Sequence, residues 1–149
     1  MTDTASLRLA LVVSRFNETV TGGLRRAALD WLSQQGITLT PDDIHPAPGA
    51  FEIPLIAQTL ARSGRYDGVI CLGCVIKGDT AHFEFISLAA ATGLMQATLA
   101  TGVPITFGIL TTYTDAQAEA RSAPDAHNKG IEAAAACDEA IQALRRILA

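Results

Sequence analysis

Residues 68–76 read GVICLGCVI, a run that carries no charge and is rich in valine and isoleucine. A strand that is apolar on both faces is typical of the centre of a parallel sheet, where helices cover both sides. The chain leaves this run through KGDTAHFEF at 77–85, which is a dense polar cluster. The two stretches together predict a buried central strand that ends at a polar edge of the sheet.

Strand and helix patterns alternate on either side of this run. Apolar runs predict further strands at 7–14, 42–48 and 103–110, and helical spacing predicts helices over 18–36, 48–64, 82–101, 115–121 and 128–148. The second strand carries two prolines, which suits only the edge of a sheet. We therefore predict an α/β domain over residues 1–149, with a three-layer αβα, flavodoxin-like architecture and a four-stranded parallel sheet in the order 2-1-3-4.

Apolar residues at helical spacing identify the faces that the helices are expected to bury. The expected inward positions are Val20, Leu24, Ala28, Trp31 and Leu32; then Ile53, Ile56 and Leu60; then Phe85, Leu88, Met95 and Leu99; and finally Ile131, Ala135, Ile141, Leu144 and Leu148.

The composition argues against several classes of protein. The chain has 149 residues, a formal net charge of −4 and no block of lysine or arginine, which argues against nucleic acid as a partner. The N-terminal segment lacks the basic opening of a signal peptide, and no apolar segment approaches the roughly 20 residues that a bilayer requires. These features predict a cytoplasmic protein without a membrane partner.

The cysteines and two of the histidines fit no established site pattern. Three cysteines, Cys71, Cys74 and Cys137, are an odd number and argue against a disulfide framework. CLGC at 71–74 has the C-x-x-C spacing, but residues three apart in a strand face opposite sides, so core packing is favoured over a redox role. His45 and His127 match no metal-ligand spacing, and we predict no metal site.

Polar or aromatic residues follow each of the four predicted strands. They are RFN at 15–17, GAFE at 49–52, KGDTAH at 77–82 and TTYT at 111–114. In open parallel sheets ligands bind beyond the carboxyl ends of the strands. These four segments are therefore expected to gather around one ligand site.

KGDTAH supports two interpretations. Asp79 or Thr80 can cap the helix that follows Gly78, and His82 then only makes local hydrogen bonds. Alternatively, the free N–H groups of the helix start bind an anion, with Lys77 as an added cation. The positive end of a helix favours a neutral imidazole, so His82 could accept and return a proton as a general acid–base catalyst. The spacing alone leaves both open.

Phe16, Phe51 and Glu52 also lie where a ligand is expected. An aromatic ring after a strand can stack on a flat ligand, although ordinary core packing explains the same position. Glu52 at a helix start suits the helix dipole and could also hold donor groups of a heterocycle. Arg121 and Lys129, each taken alone, fit solvated surface charges.

Longer motifs resemble one family. RFNETVTGGL, PGAFEIPL, YDGVICLGCVIKGDTAHFEFI, TGVPITFGILTT and HNKGIEAA occur in the order and spacing found in 6,7-dimethyl-8-ribityllumazine synthases, and the resemblance covers residues 8–145. It implies a flavodoxin-like fold and the condensation of 5-amino-6-(D-ribitylamino)uracil with 3,4-dihydroxy-2-butanone 4-phosphate. The products would be 6,7-dimethyl-8-ribityllumazine, phosphate and water. The resemblance implies no metal and no organic cofactor.

The resemblance also implies roles for particular residues. His82 would move protons. The pyrimidine and ribityl side would be formed by Phe16, Ala50, Phe51, Glu52, Cys74, Val75, Ile76 and Phe107, and the phosphate side by Gly78, Asp79, Thr80, Arg121 and Lys129. Phe107, Arg121 and Lys129 would come from an adjacent subunit, with the acidic Glu132 nearby.

The family further implies a homo-oligomer, as a pentamer, a decamer or a shell of sixty subunits, with riboflavin synthase as a further partner. Two departures concern the phosphate side: Asp125 stands where many relatives carry lysine, and Ala120 replaces a common acidic residue. A non-catalytic shell protein that binds flavin or lumazine is the alternative, but such a binder would need neither His82 nor Arg121. A thiol-dependent redox protein is a third.

Overall fold

The computed structural model describes residues 7–149 and shows alternating strands and helices. The elements are β1 (Leu9–Ser14), α1 (Glu18–Gln34), β2 (Ile44–Ala47), α2 (Ile53–Arg62), β3 (Gly68–Ile76), α3 (His82–Thr101), β4 (Ile105–Thr112), α4 (Asp115–Ser122) and α5 (Lys129–Leu148). Short 3₁₀ turns at Pro41–Asp43 and Ala50–Glu52 precede β2 and α2. The predicted elements are all present, with ends that differ by a few residues.

The four strands form one parallel sheet in the order β2-β1-β3-β4. β1 pairs with β2 from Leu11 opposite Ile44, and β3 pairs with β4 from Val69 opposite Ile105. β2 is at the edge of the sheet. Pro46 has no backbone N–H to donate, and at the edge this does not interrupt the hydrogen bonds between the inner strands. The predicted αβα class and strand order are confirmed.

The sheet separates two apolar cores because successive strand residues point to opposite faces. Leu9, Leu11 and Val13 of β1 pack with residues of α1 and α5, whereas Ala10 and Val12 pack with residues of α2 and α3. The buried residues of β3 divide in the same way between the two faces. Both faces of the central strands are therefore covered, as the uncharged GVICLGCVI run predicted.

The cysteines belong to these cores, and CLGC faces both ways as predicted. Cys71 packs on the α2–α3 side, while Cys74 and Cys137 pack on the α1–α5 side, and all three are buried free thiols. Burial raises the pKa of Cys137 to about 12 and that of Cys71 still further. The thiols are therefore protonated at neutral pH, which disfavours a thiol-redox role.

The predicted inward faces hold for α1 and α2. Val20, Leu24, Ala28 and Leu32 are buried, and Trp31 is half-buried against the same core. In α2, Ile53 and Leu60 are buried and Ile56 packs against the core while partly exposed.

The prediction for α3 was wrong. Phe85, Leu88, Met95 and Leu99 are 72%, 69%, 58% and 77% exposed, whereas the buried positions are Ala90, Leu94 and Ala97. α3 is apolar around most of its circumference, so spacing could not identify the inward side. Small residues face the protein because α3 packs closely against α2 and the sheet.

The last two inward positions expected for α5 were also wrong. Ile141 is buried, but Leu144 is 39% and Leu148 is 83% exposed. Arg145 Nη2 lies 3.8 Å from Oδ1 of Asp67, the residue that precedes β3. The final turn of α5 has therefore reached the amino end of the sheet, where no core remains to cover it.

α3 also corrects the expectation that no segment is long enough to span a bilayer. Its 20 residues reach a mean hydropathy of 1.3, so it could cross a membrane by length and composition alone. It packs on one side against α2 and the sheet, however, as a helix of an αβα layer does. The opposite, apolar side of α3 is exposed to solvent in a single chain, and contact with another protein surface would bury it as well as a bilayer would.

Candidate active site

A cavity of about 650 Å³ lies at the carboxyl ends of β1, β2 and β3, and we name it the first cavity. It receives seven of the residues predicted for the pyrimidine and ribityl side: Phe16, Ala50, Phe51, Glu52, Cys74, Val75 and Ile76. It also receives Gly78, Thr80 and His82 from the segment that joins β3 to α3. Three of the four strand exits thus converge on one site. The expectation for the fourth was wrong: none of residues 111–114 lines this cavity, and Thr111 and Thr112 line a separate cavity beside β4.

The exposure of two aromatic rings argues against core packing. Phe16 is 67% exposed and Phe51 is 60% exposed, and both line the first cavity. A ring that packs in the core would be largely buried. The structure therefore removes the core-packing interpretation and leaves two apolar surfaces that are free to stack on a flat ligand.

Asn17 shapes the same rim, and the sequence did not single it out. Its backbone is left-handed, with φ of 61°, and its carbonyl oxygen accepts hydrogen bonds from the N–H groups of Val20 and Thr21. Its Nδ2 donates to the Cys74 carbonyl oxygen at 3.0 Å, which ties the exit of β1 to the end of β3. Asn is among the few residues that tolerate this conformation, and its place directly after a strand was the available signal.

The loop between β3 and α3 supports part of the capping interpretation. The Thr80 hydroxyl accepts a hydrogen bond from the His82 N–H at 3.3 Å. Asp79 makes no cap and lies outside the lining of the first cavity. The Lys77 ammonium lies 3.8 Å from the Glu84 carboxylate and over the Tyr113 ring, so it too is directed away from the cavity.

His82 is the first residue of α3 and is exposed at the wall of the first cavity. Phe83 and Ile86 complete the apolar wall on this side. The residue thus lines the same cavity as Phe16. A local hydrogen-bonding role for the side chain would not require this opening toward the cavity.

Asp115 is a second lining residue that the sequence analysis missed. It is the first residue of α4 and brings a carboxylate to the first cavity. Burial, with a smaller contribution from Asp115, raises the pKa of the Cys74 thiol to about 11. Cys74 therefore contributes surface to the cavity, and its thiol is not a nucleophile near neutral pH.

The remaining predicted residues line a different cavity of about 360 Å³, the second cavity, between β4, α4 and α5. It contains Phe107, Arg121 and Lys129, together with Glu132. Arg121 Nη1 donates to the Gln117 carbonyl oxygen at 3.0 Å, and Lys129 Nζ lies 2.8 Å from Glu132 Oε2. Among residues 7–149, none lines both cavities.

The division of residues follows the line that the resemblance drew between two subunits. His82, Phe16 and Phe51 are in the first cavity, whereas the residues assigned to an adjacent subunit are in the second. One chain therefore does not bring the imidazole and the guanidinium together. Within the described part of the chain, no group of three or more His, Cys, Asp or Glu side chains could hold a metal ion.

The fold and the site define a class: a flavodoxin-like α/β protein with an aromatic ligand cavity beyond its strand ends and a separate cavity lined by cationic side chains. A family model described as 6,7-dimethyl-8-ribityllumazine synthase matches residues 6–145. The chain belongs to this family, which confirms the resemblance of the motifs.

Relatives agree with the match. The chain is 64% identical over 147 residues to 6,7-dimethyl-8-ribityllumazine synthase 1 of Caulobacter vibrioides, covering 99% of this chain and 96% of the relative. It is 46% identical over 145 residues to the 6,7-dimethyl-8-ribityllumazine synthase of Nitratidesulfovibrio vulgaris, covering 97% and 93% of the two chains. The similarity thus extends over nearly the whole length of each protein.

Proposed function

We propose that this chain condenses 5-amino-6-(D-ribitylamino)uracil with 3,4-dihydroxy-2-butanone 4-phosphate to give 6,7-dimethyl-8-ribityllumazine, phosphate and water. The observation that carries the proposal is the first cavity, where Phe16, Phe51 and His82 meet in a member of this family. An aromatic, hydrogen-bonding substrate and a proton-transfer group are what the reaction needs in one place.

The first cavity suits the pyrimidine substrate. Its volume of about 650 Å³ is within the range of small-molecule sites, and most of its lining is apolar. The heterocycle stacks on Phe16, the backbone at 74–76 meets its ring edge, and the ribityl chain extends toward Phe51 and Glu52. Holding both substrates in contact supplies much of the rate enhancement.

His82 moves the protons of the reaction. The substrate amine attacks the ketone, and the resulting carbinolamine loses water to form an imine. Phosphate is then eliminated, the ribityl-bearing nitrogen closes the ring, and a second water leaves. Each step transfers a proton to or from nitrogen or oxygen, so a single imidazole beside the reacting atoms can serve several of them.

Arg121 and Lys129 bind the phosphate from an adjacent subunit, beside Gly78 and Thr80. A guanidinium can make two parallel hydrogen bonds to a phosphate, which a lone ammonium cannot. The Lys129–Glu132 pair is exposed, so it is weak and can open toward a dianion. The second cavity of one chain thus completes the first cavity of its neighbour.

The exposed face of α3 supports a homo-oligomer. Phe85, Leu88, Met95 and Leu99 share one side of the helix and form an exposed apolar stripe, and such stripes mark interaction surfaces. We propose that neighbouring α3 helices cover it in a ring of five subunits, which can assemble further into a decamer or a shell. We place the protein in the cytoplasm, as one domain over residues 1–149, with riboflavin synthase as the enzyme that takes its product.

The direct test mixes the purified protein with both substrates and follows the absorbance of the lumazine together with the release of phosphate. An enzyme forms both products at equal rates and without added metal or cofactor. A shell protein that only binds flavin or lumazine would bind the lumazine but would not raise either rate above the uncatalysed reaction.

A further inference from the structure

Asn128 is a polar residue that is only 2% exposed, and it directly precedes Lys129 at the start of α5. We propose that Asn128 is a positioning residue that holds the end of α4, which carries Arg121, at a fixed place relative to the start of α5, which carries Lys129. The inference rests on the proposed function, in which these two cations bind the substrate phosphate.

The side-chain amide of Asn128 joins three segments of the chain. Its Oδ1 accepts a hydrogen bond from the Gly130 N–H at 2.8 Å, which caps α5. Its Nδ2 donates to the Ala123 carbonyl oxygen at 2.8 Å, just beyond α4, and to the Gly23 carbonyl oxygen at 3.3 Å, within α1. The partners fix the orientation of the amide, because two carbonyl groups need a donor and one N–H needs an acceptor.

The backbones around Asn128 approach each other too closely for side chains. A Cβ on Gly23 would collide with the Ser122 carbonyl oxygen, and a Cβ on Gly130 would collide with the Leu24 carbonyl oxygen. The end of α4 and the start of α5 therefore both pack closely against the backbone of α1. The Asn128 side chain links these two helix ends through its hydrogen bonds.

The two cations depend on this link because each is carried by its own helix. Arg121 donates to Gln117 within α4, and Lys129 pairs with Glu132 within α5. Their separation is consequently set by how the two helix ends are joined. A phosphate bound by both groups requires that separation to be held closely, since charge-assisted hydrogen bonds weaken steeply when their distances and angles are lost.

The main test is Asn128→Ser in the assembled enzyme. Serine retains an acceptor that caps α5, but its single hydroxyl cannot bridge to two carbonyl oxygens. We expect the KM for the phosphorylated ketone to rise about tenfold. The kcat and the KM for the pyrimidine should stay within about twofold, since the first cavity is untouched.

Tyr66→Phe is the matched control. It removes a hydrogen bond to Asp43 at the amino end of the sheet, far from both cavities, and so lowers stability without moving the cations. If Asn128 only stabilises the fold, both Asn128→Ser and Tyr66→Phe will lower Tm, and neither will change the KM for the ketone. That result would show the proposal to be wrong.

Gly23→Ala tests the position of the end of α4 from the side of α1, and it changes no polar group. Its added methyl collides with the Ser122 carbonyl oxygen and displaces the end of α4, so the KM for the ketone should rise in this variant too. This variant keeps the test decisive if Asn128→Ser assembles poorly. An unchanged KM in the assembled variant would overturn the proposal.

Arg121→Ala in the same assay separates this inference from the proposed function. A raised KM in Arg121→Ala, with an unchanged KM in Asn128→Ser, refutes the positioning role alone. An unchanged KM in Arg121→Ala removes the phosphate role of the cation itself.

Discussion

His82 begins α3 and also lines the first cavity. It is exposed at this cavity, which three phenylalanine rings also line, those of Phe16, Phe51 and Phe83. A histidine that served only to begin the helix would gain nothing from that cavity. The position is intelligible if the imidazole exchanges protons with a ligand that the rings hold.

Replacement of His82 by alanine is expected to lower kcat by roughly 10²-fold or more, because the proton transfers of the imidazole are lost. The KM for the pyrimidine should change little, since Phe16 and Phe51 remain. Steady-state rates measured from lumazine absorbance test this, and light scattering must show the assembly of the unmodified protein. A kcat equal to that of the unmodified protein would exclude the proton-transfer role.

Arg121→Ala is expected to raise the KM for the phosphorylated ketone by about tenfold or more, because a charge-assisted contact to the dianion is lost. Arg65→Ala is the matched control. Its guanidinium is also exposed, but it lies over the Tyr66 ring at the opposite end of the sheet. Equal KM values for the two variants would show that Arg121 does not bind the phosphate.

Asp43, directly before β2, connects this edge strand to neighbouring segments through its side chain. The carboxylate of Asp43 accepts hydrogen bonds from the Thr40 N–H at 3.0 Å and from the Tyr66 hydroxyl at 3.1 Å. Burial alone would raise the pKa of Asp43, but these hydrogen bonds and the nearby Arg8 guanidinium outweigh it and lower that pKa below 3.8. The ionised form is therefore the one that the folded state prefers.

A lowered pKa means that Asp43 stabilises the fold fully above its ordinary pKa. This contribution is lost as the pH falls through the lower, folded-state value. We expect the urea midpoint of the native protein to fall between about pH 6 and about pH 3, and to fall less in Asp43→Asn. The variant should also be the less stable of the two at pH 6. Equal pH dependence of both proteins would exclude Asp43 as a source of the acid sensitivity.

The elements themselves followed from the sequence to different degrees. The strands were predictable because GVICLGCVI is apolar on both faces and because prolines confine β2 to an edge. The buried face of α3 was not, because a helix with apolar residues nearly all round offers no contrast between its sides. Asn17 escaped prediction for another reason: its role depends on a left-handed backbone and on a carbonyl group 57 residues away.

At the scale of the whole molecule, the separation of the two cavities and the exposed face of α3 both favour an assembly of several subunits. The first cavity holds the rings and the imidazole, the second holds the cations, and the outer face of α3 is an apolar stripe. In the proposed mechanism, neither cavity alone contains all the groups that the condensation uses. A ring of subunits would both cover the stripe and place the second cavity of one chain against the first cavity of the next, in the manner of a heterologous interface.

A sequence can predict the members of such a site more readily than their arrangement. Their positions after predicted strands made Phe16 and His82 candidates for stacking and proton transfer, whereas Arg121 and Lys129 were assigned to the phosphate only through the resemblance to the family. The distances between them across a subunit contact are absent from the sequence pattern of one chain, since they depend on how two surfaces fit. Only a measurement on the assembly can establish that arrangement.

Mixing two impaired variants makes that measurement, at a ketone concentration well below the KM of either. If His82 and Arg121 of one site come from different chains, a random mixture of His82→Ala and Arg121→Ala subunits, unfolded and reassembled together, contains about a quarter of sites with both groups intact. Activity should then rise well above that of either variant, whereas mixing without reassembly should give no gain. If both groups of a site came from the same chain, every site in the mixture would lack one of them. The reassembled mixture would stay as inactive as its components.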